Sequence, residues 1–221
     1  MSHPRAADQV LAQGLDGLGL RLPGEAIERL LAYVALLAKW NKTYNLTAIR
    51  EPEKMVSYHL IDSLAVLPHI PAGALADIGS GGGLPGIPIA IAQPDRRVAV
   101  NDSNTKKGAF LRQAAIELKL PNLEVHVGRA EEWHPEQKFE GAISRAFAEI
   151  AAFVTACRHL VRPEGFFAAM KGVHPGTEIA QSPEGLYCQS PVRLRVPGVE
   201  GERHVVVCSF MQKGVDPCRA S

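Results

Sequence analysis

From Gly24 to Lys42 the apolar residues Ile27, Leu30, Leu31, Val34, Leu37 and Ala38 recur every three or four positions, with Glu25, Glu28, Arg29 and Lys39 between them. That spacing puts the apolar side chains on one stripe and predicts an amphipathic helix. A second helix is predicted from about Pro52 to Leu67. It carries Met55, Leu60, Leu64 and Leu67 on or near one face and ends before Pro68, whose ring disfavours helix in the preceding residue. With a weaker amphipathic stretch at about Asp8 to Leu18, these form an all-helical N-terminal extension, residues 1–70.

The pattern then changes. Ala74 to Ile78 is a short apolar run that enters the glycine cluster Gly79-Ser80-Gly81-Gly82-Gly83-Leu84-Pro85-Gly86, which reads as strand followed by turn. Helices are predicted at about Ile87 to Gln93, Lys106 to Lys119 and Glu149 to Leu160. Strands are predicted at Arg97 to Asn101, Leu123 to Val127, Gly141 to Ser144 and Phe166 to Lys171. Strands alternating with helices call for an α/β fold with a parallel sheet covered on both faces. Spacing alone leaves the strand order open. Tyr187 to Val196 and His204 to Met211 leave no room for a helix between them, so the main domain, 71–213, should end in an antiparallel hairpin, with 214–221 as a loose tail.

Composition narrows the class. Within 221 residues, 46% hydrophobic and 21% charged residues are the values of an average globular protein, which excludes disordered, collagen-like and coiled-coil chains. Lys and Arg number 24 against 23 Asp and Glu, so any basic surface must be local. The N-terminus lacks a basic start followed by an apolar stretch, and no segment reaches a membrane span, so a cytoplasmic protein without membrane contact is expected. Cys157, Cys188, Cys208 and Cys218 have no CxxC or His/Cys spacing; free thiols and no metal site are expected.

The candidate chemistry lies at the strand ends. Gly81-x-Gly83-x-x-Gly86 matches the dinucleotide pattern GxGxxG, but Pro85 and Pro88 lack the N–H groups that a pyrophosphate needs at a helix start. Read from Asp77, the segment Asp77-x-Gly79-x-Gly81-x-Gly83 resembles the first motif of the class I S-adenosylmethionine (SAM) methyltransferases, whose Rossmann-like sheet holds a cofactor without phosphates. Asp102 ends the second strand, 25 residues after Asp77, where a carboxylate can accept from both ribose hydroxyls. The alternative role for Asp102 is to cap the next helix or turn. After the third strand, Ala130 and Glu131 stand where this class holds adenine, although acidic residues at a helix start also serve the dipole.

Six further stretches carry a closer resemblance. They are Lys39-Trp40-Asn41-Lys42-Thr43-Tyr44-Asn45-Leu46-Thr47, His59 to Leu64, Leu84-Pro85-Gly86-Ile87-Pro88, Phe110-Leu111-Arg112, Ile143 to Ala146 and Gly201 to His204. From about Leu30 to Met211 the chain resembles the bacterial small-subunit ribosomal RNA guanine-N7 methyltransferases, also called the glucose-inhibited division protein B family. The resemblance implies a SAM-dependent enzyme acting on N7 of a guanine in the 16S RNA of the small ribosomal subunit. Carried over, cofactor contacts fall on Gly79, Leu84, Ala130, Glu131 and Arg145, joined by Gly81, Gly83 and Asp102 from the motif. Gly82 replaces a proline found in many relatives, so a more flexible loop is expected.

Because N7 carries a lone pair and no proton, no general base is required and placement should dominate. Arg145 could grip the cofactor carboxylate or the base at O6; the alternative is a surface pair with Glu149. His59 and Asp62, at i and i+3, read as a structural link between extension and sheet as readily as an acid–base pair. His204 suggests no role. Lys39, Lys42, Lys106, Lys107 and Arg112 are candidate RNA contacts, with the last three expected to act on RNA without affecting SAM. Trp40 is expected in the core. Two other functions compete: an NAD(P)-binding oxidoreductase, and a non-catalytic ribosome-assembly factor on a methyltransferase fold.

Overall fold

The structure is a computed structural model that describes residues 6–145, 147 and 149–210. The Met211 end of the predicted hairpin and the predicted tail therefore lie outside the described residues. Helices α1 (Ala6–Gly17) and α2 (Gly24–Tyr44) form where the apolar spacing calls for them, and α2 ends at Asn45, whose left-handed φ of 50° closes the last turn. Two short helices, α3 (Pro52–Met55) and α4 (Asp62–Leu64), lead to strand β1 (Leu75–Ile78). Helix α5 (Gly86–Ala92), β2 (Val98–Asp102), α6 (Thr105–Glu117) and β3 (Leu123–Val127) follow. Then come β4 (Phe139–Ser144), α7 (Ile150–Cys157) and β5 (Val161–Lys171), and after them α8 (Gly176–Ala180), β6 (Leu186–Cys188), β7 (Val192–Arg193) and β8 (His204–Phe210).

The sheet order is β3-β2-β1-β4-β5-β8-β6, with β8 antiparallel to β5 and the first five strands parallel. The order reverses between β1 and β4, and ligands of such sheets sit outside the carboxyl ends of the strands at that point. Side chains alternate between the faces. Leu75, Val98, Val100 and Ile143 join one apolar cluster with the helical extension, and Ala76, Ala99, Ala142, Phe153 and Phe167 form the other. The extension thus shares a continuous core with one face of the sheet.

Three expectations are corrected. The second predicted helix is not regular. A π-helical turn (Val56–Ile61) separates α3 from α4, and Pro68 lies within a short 3-10 turn, Leu67–His69. Met55 and Leu60, five apart, are both fully buried; an ideal α-helix would set them about 140° apart around its axis, and the wider turn narrows that angle. The first strand of the hairpin is broken at 189–191 into β6 and β7, both antiparallel to β8. Finally, Cys188 and Cys208, opposite each other on β6 and β8 with Cα atoms 4.0 Å apart, are disulfide-bonded. Their 20-residue separation hid the pairing, because only strand register brings them together. Cys157 is the buried free thiol among the described residues. No helix among them is long and apolar enough to cross a membrane.

Candidate active site

The glycine loop after β1 is fastened from every side. Gly79, Gly81 and Gly83 have φ of 71°, 59° and 88°, a region that L side chains rarely adopt. Ser80 locks β1 to β2: its amide donates to Asn101 O (2.8 Å), its hydroxyl donates to Asp77 O (2.8 Å), and Asn101 N donates to Ser80 Oγ (3.1 Å). The amides of Gly83 and Leu84 both donate to Ser80 O. Tyr33, fully buried in α2, donates its hydroxyl to Gly82 O at 2.6 Å, and burial pushes its phenol pKa up. At the triple glycine, where the sequence leads one to expect a more flexible loop, the helical extension thus holds the backbone at Gly82. Asp77 is fully buried. Its Oδ2 accepts from Gly86 N (2.8 Å), Oδ1 has no partner among the described residues, and burial raises its pKa to about 7.

Beside this loop lies a cavity of about 460 Å³ whose lining includes Gly79, Asp102, Lys107, Ala130, Glu131 and Phe147. That volume lies within the range of small-molecule sites. Gly79, Asp102, Ala130 and Glu131 therefore converge from three separate loops, as the sequence predicts. Asp102 is a fastener as well as a lining residue. Oδ2 accepts from Gly81 N (2.9 Å) and lies 3.5 Å from Lys107 Nζ, and Oδ1 accepts from Asn104 N (2.9 Å). Asn104 caps α6, accepting from Lys106 N and Lys107 N. Asn101, absent from the sequence-based site, donates Nδ2 to Gly128 O (2.9 Å) and fixes the third loop against the second. His126 stacks on Trp133 with ring centroids 4.6 Å apart, supporting the 130–132 turn.

Gly81, Gly83 and Leu84 lie in the supporting loop and do not line this cavity. Lys107, a candidate RNA contact in the sequence, lines this cavity as well, next to Asp102. Lys39, Lys42, Lys106 and Arg112 are exposed. Trp40 is half-buried, edge-on to Phe110 at 5.7 Å and beside Tyr44 at 5.1 Å.

Arg145 leaves the end of β4 toward the extension. Its Nη1 donates to Asp62 Oδ2 (3.0 Å) and Tyr58 O (3.2 Å), so its ion-pair partner is Asp62 and not Glu149. Asp62 also accepts from Arg203 Nε (3.0 Å). One buried carboxylate thus joins extension, β4 and the turn before β8, the structural link expected of the His59–Asp62 segment. His59 is held separately: Nε2 lies 2.8 Å from Thr47 Oγ1, and burial followed by the Arg145 charge lowers its pKa to about 4. Arg203 lies 141 residues from Asp62 in the chain, and no local pattern links them. Among the described residues, no group of three or more His, Cys, Asp or Glu is placed to hold a metal ion.

The sequence profile of the family described as rRNA small subunit methyltransferase G matches residues 26–206. The ribosomal RNA small subunit methyltransferase G of Chromobacterium violaceum is 53% identical over 197 residues, covering 89% of this chain and 94% of that protein. That of Methylobacillus flagellatus is 51% identical, covering 90% and 96%. Among solved structures, the O-methyltransferase TomG from Streptomyces achromogenes, in complex with SAM, aligns with a TM-score of 0.57 at 16% identity, covering 95% of this chain and 100% of its own. A SAM-dependent methyltransferase from Aquifex aeolicus aligns at 0.56 and 15% identity, covering 79% and 98%. These two show the fold, a class I methyltransferase sheet.

Proposed function

The chain belongs to the rRNA small subunit methyltransferase G family, and from that premise we propose that it transfers the methyl group of SAM to N7 of a guanine in the 16S RNA of the small ribosomal subunit, in the cytoplasm. The observation that carries the reading is the family match across residues 26–206, a span that contains every residue lining the cavity at the sheet's switch point. The cavity suits the cofactor on its own chemistry: glycine backbone at Gly79, a carboxylate at Asp102 and no helix-start N–H groups free for a pyrophosphate, since Gly83, Leu84 and Gly86 amides are committed.

Bound SAM supplies a methyl group on a sulfonium, which leaves as neutral thioether when the guanine lone pair takes the carbon. The chain's part is placement. Asp102, with two oxygens and lone pairs beyond those already used, accepts from the ribose hydroxyls. The turn at Ala130 and Glu131 receives the adenine, and Gly79 allows the backbone to approach the amino-acid end. Arg145, at the far side of β4, offers its remaining N–H groups to the carboxylate of that end. No residue is assigned as a base, because no proton moves in the transfer.

The deciding experiment is transfer of labelled methyl from SAM to unmethylated small subunits and to bare 16S RNA, followed by mapping. Label should enter one guanine, and RNA with 7-deazaguanine there should bind and stay unmethylated. Methylation of the deaza RNA would remove N7 as the target.

A further inference from the structure

A second cavity, of about 330 Å³, opens at the same edge of the sheet on the other side of the chain leaving β4. Arg145 lines this cavity and Phe147 lines the cofactor cavity, so the two sites share one wall. Lys171 lines the second cavity and donates Nζ to Phe147 O at 3.1 Å, which ties that wall to β5. A molecule in the second cavity is therefore next to the one in the first.

Its chemistry is that of a reader. Arg203 donates Nε to Asp62 and Nη1 to Glu202 O, and Nη2 has no partner among the described residues. Asp62 is buried and holds Arg145 on its other oxygen, so the two guanidinium groups are fixed in orientation before any ligand arrives. His204, 5% exposed, lines the same cavity. Met170 and Leu194 supply apolar surface for a planar group.

We propose that this second cavity takes the acceptor guanine, with Arg203 Nη2 donating to O6. The inference rests on the function proposed above. Donation to O6 selects guanine over a purine with an amine at position 6, which presents donors to donors, and it leaves N7 open toward the cofactor. Arg203 is thereby a specificity-determining residue in the turn that precedes β8.

The test compares single-turnover methylation of RNA carrying guanine or 2,6-diaminopurine at the mapped target. Diaminopurine keeps N7 and replaces O6 with an amine. The unaltered protein should prefer guanine by about tenfold or more, the discrimination expected of one charged base contact. Arg203→Ala should bring the two rates within about threefold while SAM affinity, read by calorimetric titration, stays within about twofold. Equal rates for the two bases in the unaltered protein would overturn the proposal, a result that needs no variant to fold. So would undiminished discrimination in Arg203→Ala with parental melting behaviour. If label enters no small-subunit RNA, or enters an atom other than N7, the function itself fails; methylation at N7 without the predicted discrimination sinks only the role of Arg203.

Discussion

Asp102 illustrates how a single side chain serves both loop and ligand. Its carboxylate holds Gly81 N and Asn104 N and faces Lys107, and the residue lines the cavity at the sheet's switch point. Asp102→Ala should weaken SAM binding by about 1–3 kcal/mol in a calorimetric titration, as loss of a charge-assisted hydrogen bond would. An unchanged dissociation constant would take Asp102 out of the site. His59 sets a pH dependence of stability. Its pKa falls from 6.5 to about 4 because burial and Arg145 disfavour the imidazolium, so the neutral form is the one the fold accommodates. The folded value lies below the unfolded one, so its contribution is complete above pH 6.5 and lost as pH falls through about 4. His59→Gln, which can still bond Thr47 Oγ1 and does not titrate, should lose less stability between those limits than the parent in urea melts. Parallel pH curves would assign the acid limb to another group.

At the scale of elements, α6 lies so close to β3 that Gly108 has no room for a side chain. A Cβ there would stand 2.3 Å from Val127 Cγ2 and 2.8 Å from Cγ1. Gly108→Ala gains helix propensity of about 0.8–1 kcal/mol in a helix interior, less in the first turn where this residue sits. Overpacking costs about 1–3 kcal/mol, so the variant should be destabilised overall in denaturant melts. The helices and parallel strands were legible because their apolar periodicity survives in one sequence. What escaped were features with no period: the π-helical turn that aligns Met55 with Leu60, the break at 189–191, and the Cys188–Cys208 bond. The site divided in the same way. Gly79 and Asp102 stand out as a glycine and a carboxylate at strand ends, and Ala130 and Glu131 by their place in the turn after the third strand. Tyr33 and Leu30 look alike in a helical stripe, and only the fold reveals that one hydroxyl reaches Gly82 O. Arg203 was hidden by sheer separation from Asp62.

For the whole molecule, the extension and the sheet form one body around a shared apolar cluster, and the extension contributes Tyr33 to the glycine loop and Asp62 to the second cavity. A net charge of +1 gives no long-range attraction to RNA, so affinity must come from cations grouped locally. Helices α2 and α6 pack together, with Trp40 against Phe110 and the 43%-exposed Tyr44 over Trp40, a ring open to stacking. Around that seam, Lys39 and Lys42 on α2 and Lys106 and Arg112 on α6 are exposed, and no ion pair among the described residues holds them. Cations that neutralise phosphates release counterions, so each one that touches RNA adds to the salt dependence of binding. Replacing Lys39, Lys42, Lys106 and Arg112 one at a time by Ala should lower the slope of log affinity against log salt by about 0.7 for each phosphate of single-stranded RNA that is no longer neutralised. SAM affinity should be unaffected. Arg158, stacked on Phe210 at the opposite edge of the sheet, serves as the control and should leave the slope unchanged. If the four variants keep the parental slope and Arg158→Ala reduces it, the RNA approaches from the opposite edge, and the cofactor cavity would then have to be reached without the α2–α6 face.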